Sequence, residues 1–285
     1  MQKSEEIRKI LNSKVNGHLT STNHKSFNLT FFGFSKKYNT SIFIKVFTSF
    51  NKFNTEKQIT RQLSDRILDT FKIDYGDEMY VLIMKDLHPL DIKGKINKKQ
   101  AYKMGAVLAK FHNTIKSFNG IKVEGNYFNK IPANINNLKD SPEKDRLLNL
   151  SKEFIKLRPL IEKDLKENSN VVLHGDVGIR NYKIVDNSLV LIDYERARVG
   201  INYQDFIKLF YQNFKLDSDL ITSFLDGYNS NSLYHVEISV CTQYFLVFIT
   251  SIGIMKYTQQ IKDKPFKKIG IQMMTEIEYY FRKYV

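Results

Sequence analysis

The spacing of apolar residues changes along the chain. Residues 1–15 carry isoleucine and leucine at helical spacing, which predicts a short amphipathic helix. The next two apolar stretches, 27–34 and 41–47, are rich in β-branched and aromatic residues, and the polar segment 35–40 separates them. This pattern is typical of an antiparallel hairpin, so the chain is expected to begin with a sheet.

Helical spacing dominates the rest of the chain, with two interruptions. A helix that begins near Asn54 has four apolar residues on one face: Ile59, Leu63, Ile67 and Leu68. The interruptions are a buried strand at 79–84 and a β pair, 182–185 and 189–192, around the turn 186–188. The other predicted helices are 98–118, 142–168 and the segments from Asp205 to the C-terminus.

Strands that come first and helices that come later predict an α+β chain with two lobes. The boundary is expected near 86–93, where Pro89 lies among charged residues and Gly94 follows. We therefore predict an N-terminal lobe at 1–88, built on an antiparallel sheet, and a larger and mainly helical lobe at 89–285.

Composition and charge narrow the function classes. The 285 residues are 42% hydrophobic and 26% charged, which is typical of a globular protein. The net charge of +14 is compatible with a nucleic-acid partner, with a polyanionic substrate such as ATP, or with a solvated lysine-rich surface. The basic residues are spread along the chain and no nucleic-acid-binding motif is present, so we predict no specific nucleic-acid partner.

The single cysteine, Cys241, excludes an intramolecular disulfide and favours a reducing compartment. It lies in the apolar run 240–255, where a buried thiol is the simplest interpretation. Polar residues interrupt that run, and residues 1–10 lack the apolar stretch of a signal peptide. We predict a cytoplasmic protein that does not span a membrane.

One polar motif dominates the second half of the chain. It consists of the run LHGDVGIRN at 173–181, followed after the β pair by LIDYE at 191–195. This combination resembles the catalytic core of the aminoglycoside phosphotransferase and choline kinase superfamily, whose members are relatives of the protein kinases. The resemblance implies a bilobal protein-kinase-like fold with a nucleoside triphosphate, ATP or GTP, in the cleft.

The chemistry of the motif agrees with that resemblance. Phosphoryl transfer needs a carboxylate that orients the attacking hydroxyl, and oxygen ligands that hold Mg²⁺ against the phosphates. The resemblance implies that Asp176 is the catalytic base, that Asn181 and Asp193 are the metal ligands, and that His174 structures the loop. We weighed His174 as a general base and prefer the structural role.

Upstream segments extend the resemblance. The strand IFIKV at 42–46 looks like the kinase strand whose lysine, here Lys45, binds the α- and β-phosphates. A lysine in an apolar strand needs an anionic partner, for which Glu56 is preferred over Asp65 and Glu78.

Two further segments resemble the family. The strand YVLIMKDL at 80–87 resembles the hinge, so backbone groups of Ile83 and Lys85 are expected to bind the adenine edge. The helix GAVLAKFH at 105–112 resembles a helix of the family near the start of the larger lobe. It ends in His112, which we interpret as a packing or capping residue.

The segment 17–28, where a phosphate-binding loop is expected, departs from the kinase pattern. Gly17 is its only glycine, so the region lacks Gly-x-Gly-x-x-Gly. Ser21, Thr22 and Asn23 could contact phosphate, although an ordinary turn is the simpler interpretation. This departure keeps open a non-catalytic, nucleotide-binding alternative to the enzyme.

The predicted function is ATP-dependent, Mg²⁺-assisted transfer of a phosphoryl group to a hydroxyl of a small molecule. An aminoglycoside-type antibiotic and an amino alcohol or sugar metabolite are both compatible acceptors. A carboxylate cluster that includes Asp205 could bind a cationic aminoglycoside, but solvated helix charges are the preferred interpretation. An aromatic cage for choline could include Tyr194 and Tyr228. A protein kinase is disfavoured, because Tyr194 and Glu195 follow Asp193 where Phe-Gly is expected.

Overall fold

The computed structural model describes residues 2–22, 28–168, 170–235 and 237–284. The chain divides into two compact units. The first contains the residues up to Asp91 together with Phe118–Ile121 and Lys183–Ala197, and the second contains Ile92–Ser117, Lys122–Tyr182 and the residues from Arg198 onward. The sequence does not predict this interleaving of the chain.

The first unit is built on a five-stranded antiparallel sheet in the order β1-β2-β3-β5-β4. Its strands are β1 (Gly17–Ser21), β2 (Leu29–Ser35), β3 (Thr40–Phe47), β4 (Ile67–Tyr75) and β5 (Asp77–Lys85). A three-stranded sheet of β6 (Leu90–Asp91), β8 (Tyr182–Val185) and β9 (Ser188–Leu191) completes it. The predicted antiparallel sheet at the start of the chain is confirmed.

Successive side chains of β3 and β5 point to opposite faces of the large sheet, and both faces are apolar. Helix α1 (Gln2–Val15) packs on the face that contains Ile44 and Ile83. Helix α2 (Phe50–Leu63) packs its Phe53 on the opposite face, against Phe47, Leu82 and Met84. Because side chains of neighbouring strand residues point to opposite faces, Lys45 lies on the α2 face.

Two strands of this sheet are missing from the sequence prediction. The stretch Ile67 and Leu68, predicted as the end of a helix, begins β4 instead, and β1 lies where a loop was expected. Helix α2 ends at Leu63, where the Ser64 N–H still bonds to Thr60 O at 2.9 Å in an extended conformation. Pairing with β5 fixes the segment as a strand, although its apolar spacing also fits a helix.

The second unit is mainly helical, as predicted. Its helices are α3 (Lys98–Thr114), α4 (Tyr127–Asn136), α5 (Pro142–Lys156), α6 (Arg158–Glu167), α7 (Gln204–Lys208), α8 (Ser218–Asn229), α9 (Val240–Gln260) and α10 (Lys264–Tyr284). Strands β7 (Asn170–Leu173) and β10 (Arg198–Ile201) form a two-stranded antiparallel sheet. The predicted single helix at 142–168 is broken at Leu157, because Pro159 cannot continue it and instead sits in the first turn of α6.

Helix α9 forms the apolar centre of this unit. Its Phe245 stacks on Phe128 with ring centroids 4.6 Å apart, and its Phe248 contacts Phe154 at 5.0 Å. Among the described residues it is the one helix long and apolar enough to cross a membrane, a test that core helices also pass, and more than half of its apolar window is buried. Cys241, at its start, is buried as predicted.

Candidate active site

The polar motif at 173–181 forms a loop that leaves the end of β7. The loop turns at Gly175, whose φ of +79° lies in the left-handed region that glycine adopts without strain. A 3₁₀ turn, Ile179–Asn181, then leads into β8. We call residues 174–181 the catalytic loop, because it carries three of the predicted site residues: His174, Asp176 and Asn181.

Asp176 lies in the centre of this loop and binds two cations. Its Oδ2 accepts a hydrogen bond from Arg180 Nη2 at 2.6 Å, and its Oδ1 accepts one from Lys208 Nζ. The Asn181 Nδ2 donates to the Asp176 carbonyl at 2.8 Å, which orients the amide. His174 Nδ1 accepts a hydrogen bond from the Asp176 N–H at 3.3 Å, a contact within the loop.

Asp205 binds the backbone of the catalytic loop. Its carboxylate accepts hydrogen bonds from the backbone N–H groups of His174, at 2.6 Å, and Gly175, at 2.9 Å. Its Oδ2 also lies 3.1 Å from His112 Nε2, while His112 Nδ1 lies 2.8 Å from the hydroxyl of Tyr228. Burial alone raises the pKa of Asp205, but the hydrogen bond to His112 and the charges of His112, His174 and Arg198 together outweigh it, so the pKa is lowered from its ordinary value.

This network corrects two interpretations of the sequence. Asp205 is neither a solvated helix charge nor part of a surface carboxylate cluster, because its side chain is buried beneath the loop. Tyr228, a candidate for an aromatic cage, is fully buried, and Tyr194, another candidate, is buried and donates to the Leu191 carbonyl. His112, interpreted from the sequence as a packing or capping residue, is buried and hydrogen-bonded to Asp205 and Tyr228.

In the first unit, Lys45 lies between two carboxylates. Its Nζ is 3.3 Å from Glu56 Oε2 and 2.6 Å from Asp193 Oδ1. Burial alone lowers the pKa of Lys45, but the carboxylates of Glu56, Asp193 and Glu195 raise it above its ordinary value, so the lysine is charged. Glu78, an alternative partner for Lys45, instead binds Lys72 at 2.5 Å, and Asp65, the other, is exposed.

A further acidic residue, Glu195, belongs to the same cluster. It accepts hydrogen bonds from Lys52 Nζ at 3.3 Å and from the amide of Asn28. Asp193 itself has a φ of +73°, an uncommon conformation for a residue other than glycine that often marks a functional site. The sequence pattern pointed to no site role for Lys52 or Glu195, although Glu195 stands at the end of the LIDYE motif.

The predicted adenine contacts receive less support from the geometry. Strand β5 is interior to the sheet, so the backbone groups of Ile83 are directed at β3 or β4, and its side chain packs on the α1 face, away from Lys45. The Lys85 N–H donates to the Arg66 carbonyl at 2.8 Å and the Asp86 N–H to the Ser41 carbonyl at 3.0 Å. The backbone N–H of Lys85 is thus already bonded within the sheet, and the adenine contact expected for Lys85 stays a prediction.

The oxygen atoms expected to bind metal are hard donors of the kind that Mg²⁺ prefers. Within the described ranges, no group of three or more His, Cys, Asp or Glu residues could hold a metal ion. This result is compatible with the predicted set, which has one amide, Asn181, and one carboxylate, Asp193. The Asn181 bond to Asp176 O uses the amide nitrogen and leaves Oδ1 as the acceptor, so the donor chemistry fits the metal.

The segment predicted to contact phosphate is only partly described. Ser21 ends β1, and the Thr22 hydroxyl bonds to the Thr30 hydroxyl, so both residues belong to the β1–β2 region. Asn23 lies outside the described residues. Gly17 is required for close strand packing, because a Cβ atom there would lie 2.3 Å from the Phe34 carbonyl oxygen.

The sequence did not point to Arg180 or Lys208 as site residues, and it offered Asp205 only as a member of a substrate-binding carboxylate cluster. Arg180 lies inside the motif, four residues after Asp176, and this spacing was the available signal. Lys208 and Asp205 lie about thirty residues further along the chain. The chain has 44 Lys and Arg in all, and no local pattern separates Lys208 from the rest.

Known proteins resemble this chain in family and in fold. Residues 54–237, more than half of the chain, match the model of the phosphotransferase enzyme family. No curated protein matches the sequence. The matched range contains Glu56, the catalytic loop, Asp193 and Asp205.

Solved structures show the same fold at low sequence identity. Choline kinase LicA from Streptococcus pneumoniae is 15% identical with a TM-score of 0.65, and each chain is covered in full. Amicoumacin kinase hAmiN, solved with AMP-PNP, Ca²⁺ and Ami, is 13% identical with a TM-score of 0.66 over 98% of this chain and 96% of its own. A thermostable mutant of the aminoglycoside phosphotransferase APH(4)-Ia is 11% identical with a TM-score of 0.70 over 97% and 99%.

The predicted α+β, protein-kinase-like fold is therefore confirmed, and so is the resemblance stated from the motif. The family match extends across both units. The structural likeness, taken alone, shows only that the fold is shared. The chain belongs to the phosphotransferase enzyme family, and it is a small-molecule kinase whose acceptor group is a hydroxyl.

Proposed function

We propose that this kinase transfers the γ-phosphoryl group of ATP, with Mg²⁺, to a hydroxyl of a small molecule. The acceptor is an aminoglycoside-type antibiotic or an amino alcohol or sugar metabolite. The observation that carries the proposal is the buried Lys45, which contacts Glu56 at 3.3 Å and Asp193 at 2.6 Å. Kinases bind the α- and β-phosphates with a charged lysine that lies on a strand and pairs with a carboxylate of a helix.

Asp176 supplies the group that acts on the acceptor. Its carboxylate orients the hydroxyl and accepts its proton as the oxygen attacks phosphorus. A bond forms between that oxygen and phosphorus while the bond from phosphorus to the bridging oxygen of ADP breaks. The proton passes from the hydroxyl to Asp176 and then to solvent.

Asn181 and Asp193 are proposed to hold the metal through Oδ1 and a carboxylate oxygen. When bound, Mg²⁺ neutralises the β- and γ-phosphate oxygens during the transfer. His174 keeps its structural role, since its backbone N–H bonds to Asp205 and its Nδ1 accepts from the Asp176 N–H. Asp205 and His112 keep the loop in place without touching a substrate.

The relatives make ATP and small hydroxylated acceptors reasonable choices. The amicoumacin kinase was solved with AMP-PNP and Ca²⁺, and another structure of APH(4)-Ia contains AMP-PNP and hygromycin B. LicA is a choline kinase. These ligands support an adenine nucleotide and a divalent metal, and GTP remains a donor to include in the assay.

One observation favours a second candidate, a non-catalytic nucleotide-binding protein. Segment 17–28 has Gly17 as its single glycine, so backbone N–H groups of a glycine-rich loop are not available to cradle the phosphates. The same experiment separates the two functions.

The test measures ADP formation with Mg²⁺ and ATP, or GTP, against aminoglycosides, choline, ethanolamine and hydroxylated metabolites. We expect one acceptor class to stimulate turnover. Asp176→Asn should reduce that turnover by about 10²- to 10⁴-fold, the usual contribution of a positioned base. Asp140→Asn, which changes an exposed carboxylate paired with Lys144, is the matched control and should leave turnover unchanged.

The outcomes separate cleanly. Retained turnover in Asp176→Asn would exclude Asp176 from the reaction. A protein that binds Mg·ATP but transfers nothing to any acceptor supports the non-catalytic function. A protein that binds neither nucleotide contradicts the role of Lys45 and the proposal as a whole.

A further inference from the structure

Asp176 forms a cluster with two basic side chains. One carboxylate contacts two cations, Arg180 through Oδ2 at 2.6 Å and Lys208 through Oδ1. The three groups together have a net charge of +1. The Asp176 side chain is only 4% exposed, whereas that of Lys208 is 26% and that of Arg180 is 71% exposed.

A π-helical turn presents Lys208 to the catalytic loop. Helix α7 ends at Lys208 and continues as the π turn Leu209–Asn213, which the Phe214 N–H closes on Leu209 O at 2.9 Å. This bond spans five residues, so the turn holds one residue more than an α-helical turn, and residues five apart come nearer to one face. Lys208 and Asn213 are five apart, and Asn213 Oδ1 accepts a hydrogen bond from the Ile179 N–H of the same loop at 3.1 Å.

The aromatic ring of Phe266 lies beside the same lysine. Lys208 Nζ is 5.6 Å from the centroid of that ring, at the start of α10, which is within the range of a cation–π contact. The lysine is therefore held by a carboxylate and a ring from two different elements. It has a defined position at the loop, unlike a lysine that extends into solvent.

The chemistry places the incoming charge next to these cations. A hydroxyl oriented by Asp176 lies within about 2.6 to 3.2 Å of its carboxylate. The phosphoryl group becomes bonded to that same oxygen, and its three equatorial oxygens carry the negative charge of the transition state. A cation in contact with the carboxylate is therefore adjacent to the charge that develops.

We propose that Lys208 and Arg180 are further catalytic residues, which bind the equatorial oxygens of the phosphoryl group during its transfer. This inference rests on the proposed function. Arg180 can leave Asp176 at small cost because it is largely solvated, and its departure makes Oδ2 available to the acceptor hydroxyl. The pair supplies donors to phosphoryl oxygens, a task that kinases also give to the backbone N–H groups of a glycine-rich loop, in a chain whose segment 17–28 has a single glycine.

The experiment measures binding of ADP and Mg²⁺ with and without aluminium fluoride, which occupies the position of the transferred phosphoryl group and needs no acceptor. In the wild-type protein, aluminium fluoride should tighten ADP binding. Lys208→Met should lose that gain by on the order of 10²-fold, as for one donor to a developing oxyanion, while the Kd for ADP alone changes less than about twofold.

Four further variants complete the design. Arg180→Met should lose part of the gain, and Lys208→Arg should keep part of it, which separates charge from fold if Lys208→Met is unstable. Lys267→Met removes another ion-paired lysine, bound to Glu143 at 2.8 Å, and should behave as the wild type. Arg158→Met, which removes the partner of Glu162, is the matched control for Arg180.

The outcomes distinguish this inference from the proposed function. If Lys208→Met and Arg180→Met keep the full aluminium fluoride gain, the two cations serve only to neutralise Asp176 and the inference is wrong. If the wild type binds ADP without any gain from aluminium fluoride, the inference also fails while nucleotide binding stands. If the wild type does not bind Mg·ADP, the proposed function fails and takes the inference with it.

Discussion

The two units contain charge clusters of opposite composition. In the first unit one cation, Lys45, faces two carboxylates, Glu56 and Asp193. In the second unit one carboxylate, Asp176, faces two cations. The first three groups have a net charge of −1 and the second three a net charge of +1. This difference matches the proposed ligands, because a metal cation needs a negative site and a phosphoryl group needs a positive one.

The clusters also differ in their access to water. The side chains of Lys45 and Glu56 are 8% and 2% exposed, whereas Arg180 is largely solvated. A buried charge depends on its partner for stabilisation, while a solvated charge can be stabilised by water. Changes in the first cluster should therefore cost stability, and changes in the second should mainly cost activity.

The largest effect on stability is expected for Lys45→Met. The substitution removes the cation that faces both Glu56 and Asp193, so the free energy of unfolding should fall by about 3 to 5 kcal/mol. Chemical denaturation measures this change. Adding Glu56→Gln should recover part of the loss, since it removes the buried negative charge.

The matched control is Lys72→Met, which changes an exposed lysine of β4 that pairs with Glu78. Exposed pairs contribute about 0 to 1 kcal/mol, so this variant should unfold almost as the wild type does. A loss below about 1 kcal/mol for Lys45→Met would show that the lysine is not needed to stabilise the cluster.

A smaller loss, about 2 to 3 kcal/mol at pH 7, is expected for Asp205→Asn, which weakens charged hydrogen bonds to His174, Gly175 and His112. The effect should depend on pH. Because the pKa of Asp205 is lowered in the folded protein, its stabilisation is fully present above the unfolded value near 4 and is lost as the pH falls through the folded value.

The stability difference between wild type and Asp205→Asn should thus be constant from pH 7 to about 5 and become smaller below about pH 4. Denaturation curves at several pH values measure it, with Asp140→Asn as a control for an exposed carboxylate. An equal difference at pH 7 and pH 3 contradicts the lowered pKa.

The smallest stability effect is expected for Asp176→Asn, below about 1 kcal/mol, because water can solvate the cations that the carboxylate releases. Its turnover should nevertheless be lost, as described above. A destabilisation as large as that of Lys45→Met would remove the distinction between the two clusters. Chemical denaturation alongside the activity assay gives both numbers on the same protein.

The sequence predicts what depends on local order. The run at 173–181 predicted a catalytic loop, and the burial expected for Lys45 predicted an acidic partner, because a lysine in an apolar strand needs one. Asp186 and Asn187 predicted the tight turn between β8 and β9, and both have the positive φ of such a turn. The fold class followed from the order of these elements.

The sequence does not predict contacts between segments that are distant along the chain. Asp205 resembles any acidic residue on a helix until the fold places it under His174, 31 positions earlier. Ile67 continues the helical spacing of α2, and only pairing with β5 makes it a strand. The roles given to Asn181, Asp193, Glu56 and Lys45 in binding metal and nucleotide stay predictions for the experiments above.

The interleaved path of the chain has a consequence for synthesis on the ribosome. The first unit needs Lys183–Ala197, which includes Asp193, yet the preceding long segment of that unit ends at Asp91. At roughly 5 to 20 residues per second, the hundred or so residues between them take about 5 to 20 seconds to translate. During that interval Lys45 of β3 and Glu56 of α2 have been translated, whereas Asp193 has not. A buried cation of the first unit thus lacks one of its two carboxylate partners until late in synthesis.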